Sequence, residues 1–500
     1  MSYICSIMNI LKNLIASICI CTGLSLHAQP VSLQQSIEAL ASDPTFSEAL
    51  VGVCIRTADG QPLVDINSEK KLLPASNMKL ISTGAALHSL GSDYRFETVL
   101  GYSGEIEEGT LHGDLYIVGG GDPTLGSKDS IAVVIDTTFA QWKAIISKAG
   151  IERIEGRIVG DGRWFEGMAE APSWLLEDAG TYYGTGVTGL MFYENMQSFS
   201  VSAGTEVGAP VNIEPSYPEA PWMYFRYNCT TGEAGTGDRL FLHANDLAPV
   251  AEIRGTFGVD RAAKRLDCAN KFPEYTCAYY FHNYLKDNGI TCTGGPTDVR
   301  MDINWEPVAL EQLNILGATQ SPTLERIAYE TNHASNNLYA ETLFRTLGKE
   351  LCDCASYDSA YVAVNDIMKA MGMDTAKGAS IKDGSGLSRQ DYVSADFFCD
   401  FLESMTESPE FEAFLRSLPS PGGNGTLEYN MAGYSASIRN RIKAKSGSMN
   451  GVRCYSGYIL PSNPEGQTLI FSIMTNNCTE PVWKVRPLLD KMMAAAAATN

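Results

Sequence analysis

The chain has 500 residues, 44% of them hydrophobic, and a formal net charge of −21. That length and apolar content suffice for a large core and exceed one simple domain, so two or three domains are expected. The charge disfavours binding to nucleic acid or to an anionic membrane surface; it is mainly a solubility feature and names no substrate.

At the front, Lys12 precedes an apolar run, Leu14 to Cys21, that ends in Ser25-Leu26-His27-Ala28. Residues 1–28 read as a secretory signal with cleavage after Ala28, because the run is too short to span a bilayer. Met8 would give a more typical start than Met1. Nothing downstream resembles a transmembrane anchor, so the mature chain is expected to be exported, periplasmic or associated with the cell envelope. Ten of the thirteen cysteines follow the signal. Cys268 with Cys277, and Cys229 with Cys292, are conceivable bridges, whereas Cys54, Cys399 and Cys454 lie in apolar runs and read as buried thiols. No C-x-x-C or H-E-x-x-H occurs, which argues against a zinc site.

Val31 to Ser42 has the spacing of a short helix. A strand over Ala49 to Arg56, a turn at Asp59-Gly60 and a strand near Leu63-Val64-Asp65 form a hairpin. It leads into Pro74-Ala75-Ser76-Asn77-Met78-Lys79-Leu80-Ile81, where Ser76 and Lys79 stand three apart at the head of a helix that is apolar on nearly every side. Residues i and i+3 share a helix face, so the Lys79 amine can approach the Ser76 hydroxyl. A desolvated neutral lysine can take the proton that makes serine a nucleophile. The Ser76 N–H, at the positive end of the helix, is placed to stabilise an oxyanion. The spacing alone is weak, since Ser68 and Lys71 share it; those two sit among charges and read as a solvated turn.

From Arg95 to Gly160 strands and turns dominate. The glycines in Leu115 to Leu125 do not match a dinucleotide fingerprint, because Pro123 interrupts and no helix follows at the right spacing. An amphipathic helix around Phe139, Trp142, Ile145 and Ile146 precedes the strand Arg157-Ile158-Val159. An aromatic segment follows, with Trp164-Phe165, Trp174 and Tyr182-Tyr183. Residues 197–262 are polar, turn-rich and broken into short strands, a small all-β unit, and a helix over Tyr275 to Asn288 closes the excursion.

Helices dominate from Gln312 until strands at Arg453–Leu460 and Thr468–Thr475 and a last helix, Val482 to Ala498. Two stretches here bear on Ser76. In Thr331 to Tyr339, which joins two helices, Ser335 or Asn336 can serve as an N-cap; alternatively Ser335 relays a proton beside Lys79 and the Asn337 amide holds a substrate carbonyl. In the strand Ile442 to Ser448, followed by the turn Asn450-Gly451, alternation sets Lys443, Lys445 and Gly447 on one face. It reads either as an edge strand protected by lysines or as one that accepts a peptide as an extra strand, with Lys445, Ser446 and Ser448 as donors.

Taken in order, Ser76-x-x-Lys79, Ser335-x-Asn337 and Lys445-Ser446-Gly447 form the set of penicillin-binding proteins and serine β-lactamases. The chain resembles the D-alanyl-D-alanine carboxypeptidase/endopeptidase group of low-molecular-mass, class C penicillin-binding proteins, peptidase family S13. Ser335 lies 259 positions after Ser76, and a large insert there is a hallmark of the group. Leu115–Leu125, Tyr182–Val187, Asp383–Arg389 and Gly422–Leu427 are also similar to it. The chain departs in Ser446, where threonine is usual, and in Asn336, where aspartate is common.

The resemblance implies an α+β fold: a penicillin-binding, serine β-lactamase-like transpeptidase domain (29–95 and 310–500), an antiparallel sheet with helices on both faces. A mainly-β insertion in two parts would interrupt it, domain II (96–196 and 263–309) with domain III (197–262) nested inside. It implies no metal or cofactor. Ser76 would attack the carbonyl of the penultimate D-alanine of a peptidoglycan stem with Lys79 as base, and the N–H groups of Ser76 and Ser448 would form the oxyanion hole. Ser335 would pass a proton to the leaving amine, and Lys445 would hold Ser335 and the substrate carboxylate. Trp174, Glu177, Asp178 and Tyr182 could recognise the stem side chain, a carboxylate meeting a free amine; an ordinary aromatic core with exposed acids is the favoured alternative for these four. Implied ligands are stem peptides and β-lactams. The alternatives are a β-lactamase or esterase on the same fold, or a non-catalytic cell-wall binding protein. Oligomeric state has no signature in the sequence.

Overall fold

A computed structural model describes residues 32–301 and 305–500; the expected signal and the choice of start codon lie outside them. The main sheet is built from both ends of the chain: β1 (Leu50–Thr57), β2 (Pro62–Ile66), β3 (Ile442–Met449), β4 (Val452–Ile459) and β5 (Leu469–Asn476). Their order is β2-β1-β5-β4-β3, antiparallel throughout. The eight residues of central β5 are all buried, as a strand covered on both faces requires. On edge strand β3, Lys445 and Gly447 are buried beside more open Ser446 and Ser448.

Two apolar layers cover this sheet. On one face α1 (Leu33–Ala41) and the last helix pack Ile37, Leu489, Met492 and Met493 against Val53, Ile55, Phe471 and Ile473. On the other, α2 (Met78–Leu90) contributes Leu80 and Ile81, and the helix Ala395–Thr406 contributes Phe398 and Phe401, against Cys54, Cys454, Ile470 and Met474. The alternation of buried partners along β1 and β5 is the period-2 pattern of a sheet between two layers. Beyond α2 lie α3 (Leu324–His333) and α4 (Asn337–Cys352). The fold is α+β, as expected.

The excursion has cores of its own. A five-stranded sheet runs Pro296–Asp298, Ile158–Asp161, Leu115–Gly119, Glu97–Tyr102, Asn314–Gln320. Helices Ile135–Lys148 and Pro273–Asp287 pack Phe139, Trp142, Phe281 and Leu285 over it. Asn314–Gln320 pairs with Glu97–Tyr102, so we propose that the chain returns to the catalytic region after Gln320 rather than at residue 310. Two three-stranded sheets between Met196 and Ala269 support a nested β unit slightly wider than 197–262. All ten cysteines among the described residues are free thiols. The conceivable bridges do not form because Cys229 and Cys268 belong to the core of the nested unit, whereas Cys277 and Cys292 belong to the helix-covered core. Cys54, Cys399 and Cys454 are buried thiols, as expected.

One buried cation ties insert to catalytic body. Arg345 on α4 is 1% exposed and spends its guanidinium on four carbonyls: Ala355 (2.8 Å), Met168 (3.1 Å), Val187 (2.9 Å) and Glu166 (2.6 Å). Phe165 and Tyr357 face its charge at 4.9 and 5.1 Å. Arg345→Met keeps much of the volume and strands those acceptors, so it should cost about 3–5 kcal/mol of stability. Urea denaturation would check this; a loss under about 1 kcal/mol would mean that water replaces the guanidinium.

Candidate active site

A short 3-10 turn, Ala75–Asn77, runs straight into α2 and puts Ser76 at the head of the helix. Asn77 anchors that turn to the sheet by donating to Ser456 Oγ at 2.7 Å. From the next turn of the helix, Lys79 brings its amine to 3.1 Å from Ser76 Oγ. The same nitrogen donates to Asn337 Oδ1 at 2.7 Å and to the Ser385 carbonyl at 2.8 Å. A neutral amine has two N–H bonds, and these two acceptors use both, which leaves the lone pair directed at the serine hydroxyl. Lys79 is fully buried. That burial, opposed by the charges of Asp383 and Glu341, brings its pKa down to about 7.

Ser335 precedes α4 with φ +57°, a left-handed conformation that is uncommon for serine. Its Oγ accepts from Lys445 Nζ at 2.9 Å, and Lys445 also donates to the Ser446 carbonyl at 2.8 Å. Burial, and then the charge of Lys79, hold Lys445 well below the ordinary lysine range. The five residues expected to carry the chemistry therefore stand as two hydrogen-bonded groups, Ser76–Lys79–Asn337 and Ser335–Lys445, with the charge of Lys79 felt at Lys445.

The structure decides between alternatives the sequence left open. Ser335 is bonded to Lys445. Asn336 caps α4 by accepting from Tyr339 N at 3.2 Å. Other details differ from expectation. The Asn337 amide already donates to the Tyr183 carbonyl at 2.9 Å, so only its second N–H is left for a ligand. Gly447 does let a backbone lie close, but that backbone is the chain's own: a Cβ there would sit 2.5 Å from the Pro74 carbonyl. Ser446 Oγ donates to Thr426 Oγ1 at 3.0 Å. Ser68 is buried rather than in a solvated turn, while Lys71 is exposed.

A cleft of about 710 Å³ opens over this constellation; Ser76, Ser335 and Ser448 lie on its catalytic wall, and Glu177, Asp178 and Tyr182 on the insert side. Burial raises the Asp178 carboxyl, Tyr183 OH donates to it at 3.2 Å, and the charge of Arg389 pulls the other way. Trp174 is not in the cleft wall; its indole N–H donates to Asp383 Oδ2 at 2.8 Å. It braces the loop Asp383 to Ser388, whose Gly386 and Ser388 N–H groups also bond Asp383, both at 2.7 Å. Buried Glu341, one turn along α4 from Asn337, accepts from Gly384 N at 3.0 Å and Ser385 N at 2.7 Å. Two buried carboxylates thus fix the carbonyl that meets Lys79. In the sequence, Asp383–Arg389 assigns no residue a role, and only the i, i+4 spacing of Asn337 and Glu341 hints at a shared helix face.

The model of the D-Ala-D-Ala carboxypeptidase 3 (S13) family matches residues 33–497. The chain belongs to this family. With it goes the enzyme class, a serine peptidase that acts as a D-Ala-D-Ala carboxypeptidase. A D-alanyl-D-alanine carboxypeptidase of Actinomadura sp. (strain R39) is 30% identical over 472 residues, covering 91% of this chain and 82% of that one. The crystal structure of penicillin binding protein 4 from Haemophilus influenzae shares the fold at a TM-score of 0.79 and 21% identity, covering 93% of this chain and 98% of that one. That protein complexed with a β-lactam matches at a TM-score of 0.74 and 20% identity, with 93% and 99% covered. Within the S13 family this chain retains a hydroxyl at Ser446, so its departure from threonine removes no donor. Among the described residues no helix is long and apolar enough to cross a membrane.

Proposed function

We propose that this S13 enzyme is exported to the cell envelope and removes the terminal D-alanine of peptidoglycan stems through an acyl-enzyme on Ser76, with the same machinery open to D-alanine cross-links. The observation that carries the reading is the Lys79 amine, buried and donating to two acceptors besides the nucleophile, which stands 3.1 Å away. Attack by Ser76 Oγ on the penultimate carbonyl passes the hydroxyl proton to Lys79, and the oxyanion collects at the N–H groups of Ser76 and Ser448. Ser335 hands a proton to the leaving amine, and Lys445 replenishes it through their shared hydrogen bond. The substrate carboxylate, meeting Lys445 and Ser446, favours the charged form of Lys445 that burial disfavours. Glu177, Asp178 and Tyr182 face the stem side chain, and Asp178 suits an amine there; Trp174 serves the site from behind by bracing Asp383.

Labelled penicillin tests this reading. One equivalent should attach covalently to the purified protein and none to Ser76→Ala; an unlabelled wild type would overturn it. Slow release of the adduct supports a carboxypeptidase, whereas rapid turnover would make the protein a β-lactamase. Muropeptide analysis of digested sacculi then separates loss of D-alanine from cleavage of cross-links.

A further inference from the structure

Three successive residues that are not glycine, Tyr193, Glu194 and Asn195, have φ of +52°, +54° and +52°. A run of left-handed L-residues is costly at each step and persists only where its surroundings hold it. Here they do. Tyr193 N donates to Leu125 O at 2.9 Å and Asn270 N to Asn195 O at 2.8 Å. The buried Asn195 side chain donates to Gly186 O at 3.0 Å and accepts from Phe192 N at 3.1 Å. The turn directs Glu194 across the cleft to the second catalytic motif. Glu194 Oε1 accepts from Ser127 Oγ at 3.0 Å, and Oε2 accepts from Asn336 Nδ2 at 2.9 Å. Asn336 directly follows left-handed Ser335 and caps α4 with its other side-chain atom.

We propose that Glu194 is a positioning residue: by holding the Asn336 amide it fixes the backbone that aims Ser335 at Lys445, and it makes an amide, not a carboxylate, the fitting side chain at position 336. The inference deepens the proposed acylation chemistry and rests on it. It also explains why this chain can depart from aspartate at 336, since a second carboxylate would stand at hydrogen-bond distance from the first. Asp129 and Lys128 are the charged groups that bear on Glu194; Lys128 in turn pairs with Asp267 at 3.5 Å. Tyr339 OH reaches the same network by donating to Ser127 Oγ at 3.2 Å.

The test is a charge-swap cycle on the full chain, reading penicillin acylation rate per titratable site and melting temperature on the same samples. Asn336→Asp should slow acylation roughly 10–100-fold. Adding Glu194→Gln should return the rate to within about threefold of wild type, because the introduced amide can donate to the introduced carboxylate. Losses that simply multiply in the double variant would overturn the proposal. Should Asn336→Asp fail to fold, Glu194→Ala decides: a rate at least about fivefold lower at unchanged active-site titre is expected, and wild-type acylation would overturn it. A wild type that does not acylate defeats the proposed function instead; the Glu194–Asn336 coupling is then read from melting temperatures, where additive shifts would overturn it.

Discussion

Lys79→Met should lower the rate of β-lactam acylation by roughly 10²–10⁴-fold while leaving a folded protein. The unbranched side chain keeps most of the buried volume and removes the nitrogen that stands 3.1 Å from Ser76 Oγ. Wild-type acylation should rise as pH passes through about 7, because lysine is a base only when deprotonated and burial has brought its pKa to that value, and fall again at higher pH as Lys445 loses the proton it supplies to Ser335. The sign is opposite for an acid. Stopped-flow acylation over pH 5–10 would check both; a limb near the ordinary lysine value, or a Lys79→Met variant acylating at wild-type rate, would remove Lys79 from the base role. Stability follows the same proton. The unfolded chain returns Lys79 to 10.5, so between about 7 and 10.5 it binds more protons than the native state. The penalty for burying this amine is therefore complete below that window and fades as pH rises through it.

Gly447→Ala should damage the site more than the fold. The added Cβ would meet Pro74 O at 2.5 Å and Asn77 N at 3.1 Å, both backbone atoms that cannot rotate away. Separating β3 from the Ser76 turn costs about 1–3 kcal/mol as overpacking. It also moves Lys445 and Ser448 relative to Ser76, and a displacement on the order of 1 Å is enough for a 10²-fold loss. Acylation should fall by about that factor with a modest drop in melting temperature. Unchanged acylation would show that the strand and the nucleophile turn can part without consequence. The loop after Asp383 is held against the same turn from another side: Gly386 has φ +82°, and a Cβ on it would collide with Ala75 O.

Local chemistry made several parts of this molecule readable. A strand at Leu50–Thr57, a hairpin, an apolar helix from Met78 and a final helix over Val482–Ala498 follow from periodicity, because each buries a face set by its own side chains. The three motifs were legible because Ser, Lys and Asn at short fixed spacings leave few other uses for a lysine heading an apolar helix. The sequence by itself determined the fold class and the family, and it singled out Ser76, Lys79, Ser335, Asn337 and Lys445, which the fold sets as two hydrogen-bonded groups. Only tertiary structure decided that Trp174 braces Asp383 rather than lining the cleft, that Glu341 fixes the carbonyl facing Lys79, and that Asn336 answers to Glu194. These pairs are separated in sequence by 209, 44 and 142 positions. No periodicity links residues so far apart; a buried carboxylate acquires its partner only when distant backbone is folded against it and desolvation leaves it no water to choose instead.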